Sequence, residues 1–191
     1  MIPEIEFVYS SVYDNKWNAP QEKLPIKLIN NYLKLIEKMW GRIAKKTLGE
    51  ISKNSGLKWR ERKIKCYFLS KGKSFSDPLT IKYYKDKKYF IDVLTHELIH
   101  QIQTQDTENR WYKWRNYIAK KYSKETKLTR GHIFLNAVLY KVVEKVHGKK
   151  RLNSLIKFDW QFKDYKRSWE IVQNEGYQNI INEFRKRIGV N

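Results

Sequence analysis

The chain has 191 residues, 41% of them hydrophobic, and carries 40 lysines and arginines against 20 acids, for a formal charge of +20. That apolar content excludes a disordered polymer, and charged residues interrupt every apolar run, so no membrane span is expected. Cys66, the lone cysteine, excludes an internal disulfide and a cysteine-rich zinc ribbon.

The length suits one domain with a sizeable core. The opening MIPEIEFVYSSVYDNKWN has no basic-then-apolar signal, so a cytoplasmic setting is expected, and a monomer with it. IEFVY reads as a short strand. From Pro25 apolar residues recur at threes and fours through Ile26, Ile29, Leu33, Ile36, Trp40 and Ile43, which predicts one long helix ending near SGL. KIKCYFL alternates, with Ile64, Cys66 and Phe68 on one face against Lys63, Lys65 and Tyr67. SDPLTIKYY gives another strand, with Leu79, Ile81 and Tyr83 on one face and Pro78 at an edge or first-residue position.

A helix then begins near Lys88 and carries LTHELIHQIQ. Further helices are predicted over about 110–122 and 131–147, the second closed by Gly148. The segment DYKRSWEIVQNEGYQNIINEFRKRIG predicts two short helices broken at Gly176. The fold class is α+β: a small sheet, then mostly helices.

In LTHELIHQIQ, His96 and His100 lie one helical turn apart, about 40° around the axis. Ile91, Leu94, Leu98 and Ile102 fall on the opposite side, so the helix can bury that face and offer both imidazoles from the other. Two imidazoles so placed can fill two corners of a Zn²⁺ site. Glu97 is then the base that takes a proton from the attacking water. Two of only four histidines stand on this one helix face, which weighs against two incidental solvated residues.

A catalytic zinc keeps three protein ligands and one open position, so a third is required. Asp106, Glu125, Glu144 and His132 all qualify by residue type. Asp106 has Gln103 where a turning glycine would stand. His147 is more simply a last-turn cation facing the helix dipole.

His96-Glu97-Leu98-Ile99-His100, with Gly131-His132 and then Phe134 opening a helix, resembles the SprT-like zincin family. The likeness spans roughly residues 25 to 147; Ile133 stands where the family's segment has its second glycine, and no cysteine-bearing ribbon follows. The resemblance implies a zinc metallopeptidase with His96, His100 and His132 on Zn²⁺ and Glu97 as general base. It also implies a zincin-like fold, with a small, mainly antiparallel sheet packed on a long N-terminal helix and the HExxH helix. One domain would then cover 1–191, with a helical basic insert at about 106–130 and a helical extension at about 150–191. Its substrates would be proteins or peptides, DNA-associated proteins among them.

On the helix, His132 stands at the margin of the buried face, where a side chain can leave the core, and Asn136 one turn on is a candidate partner for it. Glu144 lies about 18 Å further along the same helix, and His147 about 22 Å. Tyr140 and Arg130 are candidate oxyanion stabilisers.

The stretch 110–130 carries eight basic residues against Glu125, interleaved with Trp111, Tyr112, Trp114, Tyr117 and Tyr122. Exposed rings there would stack on unpaired bases of DNA or another nucleic acid. The spacing of Trp111, Trp114 and Ile118 equally fits a core-facing helix side. LKWRERKIK, residues 57–65, is ambiguous in the same way. A nucleic-acid-binding module with a structural or vestigial zinc site is the alternative to the enzyme. The Lys-, Ile-, Asn- and Tyr-rich composition also fits simple coding bias.

Overall fold

The computed structural model describes residues 1–105 and 110–190. Among these the chain is α+β, mostly helical, with nine α-helices and a small mixed sheet of four strands. It divides into two compact units: Met1–Leu48 with Trp59–Gln101, and Gly49–Lys58 with Ile102–Asn191.

The first unit holds the sheet, formed by β1 (Glu4–Tyr9), β2 (Lys63–Leu69), β3 (Phe75–Ser76) and β4 (Leu79–Lys82). The strand order is β1-β2-β4-β3. β1 pairs in parallel with β2, β2 in parallel with β4, and only β3 with β4 is antiparallel. The expected mainly antiparallel sheet is therefore corrected to a mixed one in which parallel pairing dominates. The connections explain it. The chain passes through helices between β1 and β2, as a parallel crossover requires. After β2 it runs to the outer position as β3 before returning as β4 between them.

β2 buries Ile64, Cys66 and Phe68 as its alternation predicts. Against β1 packs α2 (Ile26–Gly41), through a buried stripe of Ile29, Tyr32, Leu33, Ile36 and Trp40. The predicted single long helix is two, because the chain turns at Arg42 and Ile43 before α3 (Ala44–Ser55). Gly41, a weak helix former, stands at the break.

A helix absent from the sequence reading, α1 (Ser11–Trp17), brings in the fully buried Asp14. Its carboxylate accepts from Asn18 Nδ2 at 2.7 Å, Ser70 N at 3.0 Å, Ser70 Oγ at 2.7 Å and Tyr9 Oη at 3.2 Å. Such saturation offsets the cost of burying the charge. The helix α4 (Lys87–Thr104) follows β4 and belongs to this unit through Gln101.

In the second unit α6 (Lys127–His147) packs against α5 (Arg110–Lys121), α7 (Lys149–Asp159), α8 (Lys163–Glu175) and α9 (Tyr177–Ile188). It is apolar almost all round, burying Ile133, Phe134, Leu135, Val138, Leu139, Val142 and Val143, as a central helix must. Thr126 caps it, accepting from Thr129 N at 3.0 Å, so the helix starts four residues before the predicted Gly131. Gly148, at φ +83°, separates α6 from α7, which the sequence reading did not assign as its own helix. Gly176, at φ +84°, separates α8 from α9 where the break was predicted. No helix among the described residues is long and apolar enough to cross a membrane.

Candidate metal centre

On α4 the apolar residues Ile91, Leu94, Leu98 and Ile102 are buried, as the periodicity requires. This fixes the helix in rotation and leaves His96 and His100 half-buried on the other side. Their rings meet edge-on, with centroids 5.2 Å apart.

Glu97 is buried at 8% exposure, and it makes no hydrogen bond or ion pair among the described residues. A carboxylate without a donor is costly to hold charged, so burial pushes its pKa up to about 7. Nearby, burial and the Glu97 charge hold the Cys66 thiol protonated and inert. The Tyr84 phenol, hydrogen-bonded with Ser74 at 3.3 Å, is raised by burial first and by the Glu97 charge as well.

His132 sits in the second turn of α6, buried. Its Nδ1 lies 2.8 Å from the carbonyl of Leu128. A carbonyl can only accept, so Nδ1 carries the proton and Nε2 keeps its lone pair. Burial also lowers the pKa of this ring, with the Leu128 bond and Asp164 pulling the other way. A neutral imidazole with a fixed tautomer is the form that ligates a metal.

The expected partner for His132, Asn136, is engaged elsewhere: its Nδ2 donates to Ser168 Oγ at 3.0 Å. A residue that the sequence reading missed, Tyr165 of α8, stands against the His132 ring, with centroids 4.5 Å apart. Nothing local marks it, because the two residues meet through the packing of α8 on α6.

Among the described residues, the ligand-capable atoms of His96, His100 and His132 all lie within 4.8 Å of one another. The other third-ligand candidates are differently placed. Glu125 receives Arg167 Nε at 2.9 Å and Nη2 at 2.8 Å. Glu144 lies near the far end of α6 and His147 in its exposed last turn. Asp106 lies outside the described residues. Arg130 Nη1 donates to the Glu125 carbonyl at 3.1 Å, and Tyr140 stacks on Tyr177 at 4.4 Å.

Three imidazoles this close could hold a divalent metal ion, beside a carboxylate with no partner among the described residues. They offer nitrogen donors, and a cation would favour the charged form of Glu97 that burial opposes. Compared with protein-family models, curated proteins and solved structures, the chain matches none.

Proposed function

We propose that the chain is a zinc-dependent metalloendopeptidase of the SprT-like zincin type that hydrolyses peptide bonds in protein substrates. The observation carrying this reading is the convergence of three imidazoles, one of them next in sequence to a buried carboxylate that makes no hydrogen bond or ion pair among the described residues. His96, His100 and His132 would hold the metal. When bound, zinc supplies a Lewis acid that polarises the scissile carbonyl and acidifies water.

The Glu97 carboxylate takes the proton that a water gives up as its oxygen attacks the carbonyl carbon. It returns that proton to the departing amide nitrogen as the C–N bond breaks. The buried surroundings of Glu97 favour its protonated form, which helps it hold the proton between the two steps. The Leu128 carbonyl keeps His132 in one tautomer throughout.

Elemental analysis should find about one zinc per chain, by the one-site ligand count. His96→Ala, His100→Ala and His132→Ala should each lose it. Glu97→Gln should retain zinc while hydrolysis of an unfolded protein falls at least about a hundredfold. Undiminished turnover by that variant would overturn the assignment.

A further inference from the structure

Between α7 and α8 the chain reads Lys157-Phe158-Asp159-Trp160-Gln161-Phe162-Lys163, and this corner puts two large rings into solvent. Trp160 is 44% exposed and Phe162 is 49% exposed. Surface burial of such rings is worth far more than leaving them wet, so exposing two within three residues asks for a reason.

The rings connect to the candidate centre through packed contacts. Phe162 meets Tyr165 with centroids 6.1 Å apart, and Tyr165 meets His132 at 4.5 Å. On the other side Phe158 meets Phe162 at 5.9 Å. An aromatic ridge thus runs from the surface to a proposed metal ligand, all within the second unit.

Charge along the ridge is mainly positive, with Asp164 the one half-exposed acid. Lys157, Lys163 and Lys166 are exposed and make no ion pair among the described residues. Of the two acids at the corner, Asp159 is buried, while the half-exposed Asp164 is held by threonine hydroxyls. Asp159 accepts from the Trp169 indole at 2.9 Å, and Asp164 accepts from the hydroxyls of Thr126 and Thr129.

We infer that this ridge captures unfolded polypeptide rich in aromatic or large apolar residues flanked by acids, and presents it to the centre; the inference rests on the proteolytic reading above. Apolar side chains fill the clefts between rings, while the lysines pair with neighbouring carboxylates. Ring geometry decides for peptide over nucleic acid. Phe158, Phe162 and Tyr165 stand at 56° and 70° to one another, which makes clefts rather than a ladder of parallel faces for successive bases. One face of Trp160 is also covered by the Lys166 ammonium, 5.7 Å from the ring centre.

The test uses the zinc-loaded Glu97→Gln protein, so that binding is read without turnover. Three fluorescein-labelled probes are compared by anisotropy: an unstructured peptide of phenylalanine and glutamate, the same peptide with serine for phenylalanine, and oligothymidine. The phenylalanine peptide should bind at least about tenfold tighter than the serine one. Adding Trp160→Ala and Phe162→Ala should remove about that factor, as loss of aromatic anchors does, with zinc content and melting temperature unchanged. In the active protein the same two changes should raise KM for an aromatic-rich substrate and leave kcat in place. Peptide affinity unmoved by the double change overturns the inference, as does oligothymidine binding that alone depends on the two rings. Absence of hydrolysis by the wild-type chain would instead remove the proteolytic reading and leave the binding result standing.

Discussion

Asp159 ends α7 as a buried carboxylate on the Trp169 indole N–H. Burial pushes its pKa up to about 6, and the indole bond pulls the other way. A folded value above the unfolded one means that ionisation weakens the fold. The associated stability is complete below the unfolded value of 3.8 and is lost as pH rises through about 6. Asp159→Asn keeps an acceptor for Trp169 and has no proton to lose. The variant should therefore exceed the wild type by up to about 3 kcal/mol at pH 8 and show no such gain at pH 3.5. Urea unfolding at the two pH values measures this; an equal difference at both would assign the effect to packing instead. Sequence alone reveals little of this scale beyond spacing. The one-turn separation of His96 and His100 is readable because a helix fixes it. The Leu128 carbonyl on His132 and the Tyr165 ring beside it depend on rotamers and helix packing, which no local pattern records.

Among the elements, α5 shows how an aromatic-basic stretch resolves once it is folded. Trp114 is 2% exposed and packs on Phe134 and Phe184, themselves stacked at 3.6 Å. Base stacking by Trp114, one reading of residues 110–130, is excluded by that burial, while Tyr112 stays exposed. Trp114→Ala should cost about 3–5 kcal/mol through the cavity it leaves, measured by denaturant unfolding. Its effect on oligonucleotide affinity, measured where the variant is still folded, should be negligible. The alternation of KIKCYFL was legible because one face of β2 is buried. Sheet order was not, since strand direction depends on how the chain travels between strands. The α1 helix escaped because its one buried residue is Asp14, whose partners lie on other segments.

For the whole molecule the +20 charge is the dominant long-range fact. Such a field draws polyanions whatever the fold, so nucleic-acid contact is to be tested beside the proposed proteolysis. Binding of single-stranded DNA should weaken steeply and log-linearly with salt, as counterion release requires, and filter binding across a salt series checks it. No affinity at low salt would leave the lysines as a matter of composition. The proposed zinc belongs to this scale too, because a metal bound only by the folded chain would stabilise it by mass action. A chelator should lower the melting temperature of the wild type and leave His100→Ala unmoved.

The parallel pairing of β1 with β2 sets a timetable for synthesis. Glu4 is in register with Lys63, so roughly sixty residues must be made after the first strand before its partner exists, about 3–12 s at ordinary translation rates. Through that interval a β-prone segment, Ile5-Glu6-Phe7-Val8-Tyr9, has both edges open to any neighbouring chain. Glu4 and Glu6 set like charges along it, repelling a second copy of the same segment. In a chain so rich in lysine, two acids at this place guard the nascent strand until β2 arrives.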